Sequence, residues 1–109
     1  MPEVVHLLEG AGRGPLWGTA SDDLNATLLA WPAGDETPAH VNAERDVLLV
    51  VVGGDGTVEV AGESLRVTAG DALLVEKGVP RRIRPGTEGI RYLAVHRRRG
   101  GLQVGRVPA

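Results

Sequence analysis

The sequence predicts an all-β fold, a jelly-roll barrel of roughly six to ten short strands, and three observations support this prediction. Glycine accounts for 16 of the 109 residues, which suits short strands joined by tight turns. After residue 50, turn signals recur about every eight residues, with Val-rich segments between them. No apolar stripe of helical period and length occurs anywhere in the chain. Closing the sheet into a barrel would limit its exposed edges.

The strands follow from alternating or aliphatic segments between the turn signals. After residue 50 each of these signals contains Gly, which follows Ala in two of them and is accompanied by Pro in two others. We predict turns at 53–56, 61–62, 69–70, 77–80 and 85–86. In chain order, we predict strands at Val4–Leu8, Leu16–Trp17, Leu24–Trp31, Asp46–Val52, Thr57–Val60, Glu63–Val67, Asp71–Val75, Arg81–Arg84 and Ile90–His96.

Length and composition indicate a single domain over residues 1–109. A chain of 11.4 kDa has room for one hydrophobic core. It contains no Cys, so a disulfide framework, a thiolate metal site and a thiol nucleophile are excluded. The first residues lack the basic and apolar regions of a secretion signal, and no apolar run is long enough for a membrane span. We therefore expect a cytoplasmic protein.

Charge is distributed unevenly along the chain. Residues 1–63 hold 11 acidic residues and two Arg, a balance of −9, whereas residues 64–109 hold three acidic residues and ten Arg and Lys, a balance of +7. Such asymmetry can mark a nucleic-acid-binding tail. The positive half also carries apolar strands, so we favour a fold in which strands of the two halves interleave.

Polar side chains next to an aliphatic strand form the first candidate site. His40, Asn42 and Asp46 share one parity, so on an extended strand they point to the same side of a sheet. The aliphatic strand that follows carries this face into the core. Polar groups there are costly unless they bind one another, a ligand or a metal. The spacing therefore indicates a binding site.

This spacing resembles the first signature of the cupin family, Gly-x5-His-x-His-x3-4-Glu-x6-Gly. Gly34, His40 and Gly53 match it in register. Asn42 stands at the second His of the signature, and Asp46 stands at its Glu. Two of the positions that usually hold metal ligands in the family are therefore changed.

A second cupin signature, Gly-x5-Pro-x-Gly-x2-His-x3-Asn, lies over residues 70–85. Gly70 and Gly78 match it, and Glu76 replaces its Pro. Arg81 falls at the third His of the family and Pro85 at the Asn. The resemblance covers residues 24–96 and implies a cupin-type jelly-roll barrel. It also implies a dimer, because small cupins commonly dimerise.

The resemblance implies that His40, Asn42, Asp46 and Arg81 line the barrel cavity. Arg81 would then pair with Asp46 and supply the positive charge that a metal supplies elsewhere. It would anchor a small polar or anionic ligand, with His40 as the catalytic group able to move a proton. Two alternatives stay open. Asn42 and Asp46 can instead bond turn backbone groups, and Arg81 can point outwards with Arg82.

The last predicted strand adds two candidate ligand-binding residues. Tyr92 and His96 share a face that would look into the barrel. The alternative for His96 is a surface position beside the basic run 97–99. That run invites a nucleic-acid interpretation, but only three aromatic residues, two Trp and one Tyr, are available for stacking on bases. We therefore expect no nucleic-acid partner and no membrane partner.

One set of residues is the best candidate for a metal site in this sequence. His40, His96 and a carboxylate of Asp46 or Glu44 would form a two-His-one-carboxylate set for iron, manganese, nickel or zinc. The favoured hypothesis is nevertheless a metal-free binding module. The alternative is a cupin enzyme, either a metal-dependent oxygenase or isomerase or a metal-free acid–base catalyst, so enzymatic activity stays open. We expect a homodimer, partly because Val4–Leu8 is too apolar for a solvated edge strand.

Overall fold

The structure is a computed structural model, and it describes residues 3–98. Seven β-strands occur in this range, and no helix in it is long and apolar enough to cross a membrane. The strands are β1 (Gly14–Ala20), β2 (Leu24–Trp31), β3 (His40–Val41), β4 (Val47–Val60), β5 (Glu63–Thr68), β6 (Ala72–Val75) and β7 (Pro80–Arg97). The predicted all-β jelly-roll barrel is confirmed.

Two long antiparallel strands, β4 and β7, form the frame of the barrel. The first half of β4 pairs with β6 and with the second half of β7, which also pairs with β2. The second half of β4 pairs with β5 and with the first half of β7, which also pairs with β3. Each long strand therefore belongs to both walls of the barrel. The register shifts where they bend, between Val51 and Gly53 and between Gly54 and Gly56.

Glycine permits this bend because the two backbones approach closely there. Gly54 and Gly89 both have positive φ, at 70° and 74°. A Cβ atom on Gly54 would collide with the carbonyl oxygen of Gly89. L-residues rarely adopt such φ values, and no side chain fits between the strands.

The core lies between the two walls and is aliphatic. Its most deeply buried side chains are Leu49, Val47, Val51, Val58 and Val75. Tyr92 is the one aromatic residue in the buried cluster. Alternation along β4 and β7 places these residues on the inner face, as expected for strands buried on one side.

Several predicted strands are right, and two predicted turns are wrong. Strand β2 has the predicted bounds, and β5 and β6 lie within a residue of theirs. The segment 53–56 is not a hairpin turn, because it continues β4 through two irregularities of register. The segment 85–86 likewise continues β7, so the predicted strands at 81–84 and 90–96 are one strand. Gly and Pro signal a β-bulge as readily as a turn.

The predicted strand at Val4–Leu8 is also wrong. This segment has no strand pairing, and Val4 and Leu8 are exposed. Arg91 fastens the segment instead, because its guanidinium donates hydrogen bonds to the carbonyl oxygens of Leu7, Glu9 and Gly10 at 2.8–3.0 Å. The unpaired-edge argument for a dimer therefore does not apply to these residues.

The interleaving of the two charged halves is confirmed. Among the residues that the structure describes, three ion pairs join an acid of the first half to an Arg of the second half. They are Asp55–Arg66 at 2.7 Å, Glu36–Arg82 at 3.9 Å and Glu59–Arg84 at 3.1 Å. The basic run behaves as a strand end where it is described. Arg97 and Arg98 donate to the carbonyl oxygens of Glu44 and Ser21, and residue 99 lies outside the described range.

Candidate functional site

Arg81 faces the interior of the barrel from the first half of β7. It lies opposite His40 of β3 on one side and Val60 of β4 on the other. It shares its strand face with Ile83, which is 4% exposed. Burial lowers the pKa of Arg81, and the neighbouring Tyr92 partly offsets this effect. The alternative, in which Arg81 points outwards, is therefore wrong. Arg82 is the residue that points outwards, and its guanidinium pairs with Glu36.

The Arg81 guanidinium lacks a partner within residues 3–98. Its Nη1 atom is buried and makes no hydrogen bond, and no carboxylate in that range forms an ion pair with it. A half-buried cation without a partner is unfavourable, because it has lost hydration without gaining a counter-charge. The predicted Arg81–Asp46 pair is therefore absent from the described part of the chain.

Tyr92 lies on the inner face of the second half of β7, opposite Leu29 and Val51. Its phenol oxygen accepts a hydrogen bond of 3.1 Å from Nε1 of Trp31. Burial raises the pKa of Tyr92, while this hydrogen bond and the charge of Arg81 oppose the rise. The phenol therefore stays protonated at neutral pH. Its O–H proton has no acceptor among the residues that the structure describes.

Trp31 is the residue of this site that the sequence analysis missed. It ends β2, opposite Ile90, and its ring is partly buried against the core. The guanidinium carbon of Arg13 lies 5.8 Å from the ring centroid, and Arg13 pairs with Asp35 at 2.7 Å. Strand parity alone would have placed Trp31 on the inner face. Its hydrogen bond to Tyr92 could not be read from the sequence, since it joins residues of different strands.

His40 lies at the rim of the barrel. Strand β3 consists of His40 and Val41 alone, and both are exposed. His40 is directly opposite Arg81, so the two share a face of the pairing. The structure thus brings these two predicted residues together, with Arg81 inside and His40 towards the solvent.

Asn42 and Asp46 serve the backbone of two turns. Oδ1 of Asn42 accepts hydrogen bonds from the backbone N–H groups of Glu44 and Arg45 at 3.2 and 3.1 Å. Oδ1 of Asp46 accepts one from the backbone N–H of Lys77 at 2.9 Å. Both side chains therefore follow the alternative that the sequence left open. The chain leaves β3 after Val41, so the shared strand parity predicted for His40 and Asn42 is wrong.

His96 is held at the opposite end of the inner face. Its Nδ1 atom lies 2.9 Å from the carbonyl oxygen of Arg97 and so donates to it, while its Nε2 atom lies 3.5 Å from Nδ2 of Asn25. The alternative metal set would need His96 beside His40 and a carboxylate. Within residues 3–98, no group of three or more His, Asp or Glu side chains is arranged to hold a metal ion.

The chain belongs to the cupin family. The family model described as "Cupin domain" matches residues 27–96, most of the range over which the two signatures were placed. No curated protein matches the sequence. The resemblance inferred from the two glycine-rich signatures is therefore confirmed by the family match.

Solved structures of other proteins share this fold. The protein BH2720 from Bacillus halodurans has 22% identity and a TM-score of 0.75, over 91% of this chain and 83% of its own. A cupin protein from Bacteroides fragilis has 20% identity and a TM-score of 0.71, over 94% and 95%. KdgF from Halomonas sp. has 22% identity and a TM-score of 0.71, over 78% of each chain. At these identities the likeness concerns the fold.

The residues at the cupin metal positions do not fit a transition metal ion. Arg81 is a permanent cation and repels one. Oδ1 of Asn42 and Oδ1 of Asp46 are engaged with backbone N–H groups. Only His40 remains as a nitrogen ligand at these positions.

Proposed function

We propose that this cupin binds a small anionic molecule inside its barrel, with the Arg81 guanidinium as the anchor and without a tightly bound metal. The observation that carries the proposal is the buried Nη1 atom of Arg81, which has no partner in the described part of the chain. An arginine on the inner face of the barrel, with no ion pair to a described carboxylate, gains its counter-charge when an anion binds.

The surroundings of Arg81 support a ligand-binding role for this residue rather than a structural one. Neighbouring arginines on the outer face, Arg82 and Arg84, are paired with glutamates. Nε of Arg82 is also buried without a hydrogen-bond partner, but of these three arginines only Arg81 has no ion pair within the described residues. Tyr92 adds a second hydrogen-bond donor without an acceptor. Two donors and no acceptor favour a ligand that accepts hydrogen bonds through negatively charged oxygen.

His40 is proposed as the rim group that contacts the ligand from the open side. It lies opposite Arg81 and is exposed, so it can exchange protons with the solvent. This position also suits acid–base catalysis on a ligand held by Arg81. The binding function does not depend on such a step. Asn42 and Asp46 are proposed to shape the mouth through the turns that they hold, and His96 to close the far end of the inner face.

The experiment compares anion binding by the unaltered protein, Arg81→Leu and Arg82→Leu. The two variants remove adjacent arginines from opposite faces of one strand, so they are matched in chemistry and differ in location. Benzoate, hexanoate, phosphate and sulfate are titrated by calorimetry, and the melting temperature is followed with each anion. We expect at least one anion to bind the unaltered protein and Arg82→Leu, and to lose about tenfold or more in affinity with Arg81→Leu. Equal binding by all three proteins would contradict the proposal.

A further inference from the structure

This inference rests on the proposed anion site. The groups around its two unpaired donors, Arg81 and Tyr92, indicate which class of anion the site binds. We propose that the bound anion is the carboxylate of a small monocarboxylic acid with an apolar body. In this proposal Tyr92 donates its O–H to the carboxylate, and Trp31 is the positioning residue that directs that O–H.

Charge balance favours a monoanion. Among the cations on the described strands, Arg81 is the one that strand pairing places on the inner face, and pairing with a carboxylate would neutralise its charge. A phosphate ester carries about −1.5 to −2 at neutral pH and would leave negative charge uncompensated. The planar guanidinium also presents two parallel N–H donors that match the two oxygens of a carboxylate.

The walls favour an apolar body. The side chains that share the inner face with Arg81 and Tyr92 are hydrocarbon, including Val60, Ile83 and Leu29. A sugar or polyol would need a hydrogen-bond partner for each buried hydroxyl group. The described inner face offers few such partners, whereas the apolar part of an acid gains by contact with these walls.

Trp31 controls where the phenol proton points. Because the indole N–H can only donate, the phenol oxygen must accept that bond and direct its own proton elsewhere. That proton is then available to a ligand oxygen near Arg81. Without the Trp31 N–H, the phenol can rotate its proton away from the ligand. Trp31 therefore acts through Tyr92 and needs no contact with the ligand.

The ligand test uses four compounds that differ in one property each. Hexanoate carries both features, acetate lacks the tail, hexanol lacks the charge, and hexyl phosphate exchanges the carboxylate for a dianion. Benzoate is included as an acid with a different apolar shape. We expect hexanoate or benzoate to bind about tenfold or more tightly than the other three.

Each contrary result would overturn a specific part of this inference. If hexyl phosphate binds more tightly than either acid, the carboxylate assignment is wrong, although anion binding at Arg81 survives. If acetate binds as tightly as the acids with tails, the apolar body is wrong. If neither acid binds, the inference fails as a whole, and inorganic phosphate and sulfate then decide whether the proposed function survives. If hexanol binds as well as hexanoate, charge is not needed and both proposals fail.

A double-mutant cycle tests the positioning role. Tyr92→Phe removes only the hydroxyl, and Trp31→Phe keeps an aromatic ring but removes the N–H. We expect Tyr92→Phe to weaken hexanoate binding about tenfold and Trp31→Phe to weaken it severalfold. In the Tyr92→Phe background, Trp31→Phe should have no further effect. Additive losses would mean that Trp31 acts by packing alone and would overturn the positioning role. Near-ultraviolet circular dichroism of each variant verifies that the barrel is folded.

Discussion

Arg81 and Tyr92 both lie on the inner face of β7, in different halves of that strand and therefore on different walls of the barrel. Burial raises the pKa of Tyr92, and the charge of Arg81 opposes that rise. Both groups are hydrogen-bond donors, and each lacks an acceptor among the described residues. Two unsatisfied donors on the inner face of one barrel favour the binding of a hydrogen-bond acceptor. This relationship is the basis of the proposed anion-binding function.

Replacement of Arg81 by Leu should not destabilise the protein. The guanidinium makes no hydrogen bond through Nη1 and has no ion pair in the described range, so its removal breaks no such contact. We expect the free energy of unfolding of Arg81→Leu to equal or exceed that of the unaltered protein, by about 1 kcal/mol at most. Urea denaturation without ligand measures this change. A loss above about 2 kcal/mol would show that Arg81 has a structural role.

Replacement of Arg91 by Ala should release the N-terminal segment. The Arg91 guanidinium donates to three carbonyl oxygens of residues 7–10, and Leu8 packs beside Gly53. We expect faster amide hydrogen exchange over residues 5–12 and a loss of about 1–3 kcal/mol in stability. Arg66→Ala is the control, because Arg66 is an exposed arginine with a single ion pair. Equal exchange in both variants would mean that Arg91 does not hold the segment.

The sequence was informative about the aliphatic strands and about Arg81, and less so about the loop before β4. The resemblance to the second cupin signature predicted that Arg81 lines the barrel cavity, and the regular pairing of residues 81–85 with β4 puts Arg81 on the inner face with Ile83. Strand parity failed for Asn42, because β3 ends after two residues and the chain then turns. Asn and Asp stabilise turns as readily as they line sites, and the sequence does not distinguish the two roles. Similarly, Gly53 and Gly54 lie at a β-bulge, and their sequence pattern is the same as that of a turn.

Purified protein should contain little iron, manganese, nickel or zinc. The positions of the cupin metal ligands hold Asn42 and Arg81, and the described residues contain no cluster of three potential ligands. We expect less than about a tenth of a metal ion per chain by elemental analysis, and no change in melting temperature with a chelator. A stoichiometric metal that is lost in His96→Ala would instead support the set of His40, His96 and a carboxylate. Asn25→Ala, which removes only the neighbour of His96, is the control.

We propose that the chain forms a homodimer through the outer face of the sheet rather than through its N-terminal segment. Leu74, Leu48, Val95 and Ala26 lie directly opposite one another across four neighbouring strands. Leu48 and Leu74 are 40% and 55% exposed, although aliphatic rows of this kind are usually covered. Light scattering should give twice the chain mass of 11.4 kDa. The double variant Leu48→Ser and Leu74→Ser should be monomeric, whereas Val4→Ser, at a more exposed site outside the sheet, should not change the mass. A monomeric unaltered protein would contradict the proposal.

The most direct test of the anion site uses the single tyrosine of the chain. The tyrosinate absorbance reports Tyr92 alone, and burial raises the pKa of this residue above its ordinary value of 10.0. The Arg81 charge favours the tyrosinate form, so Arg81→Leu should raise the pKa of Tyr92 further, while Arg82→Leu should leave it unchanged. An anion bound between Arg81 and Tyr92 disfavours the tyrosinate for the same electrostatic reason.

The measurement is therefore the absorbance titration of Tyr92 with and without saturating hexanoate, in the unaltered protein and in Arg81→Leu. Our account predicts that hexanoate raises the pKa of Tyr92 in the unaltered protein, by about one unit or more, and has no effect in Arg81→Leu. An unchanged pKa in the unaltered protein when calorimetry shows hexanoate bound would place the acid away from Arg81 and Tyr92. That result would contradict an anion site inside the barrel.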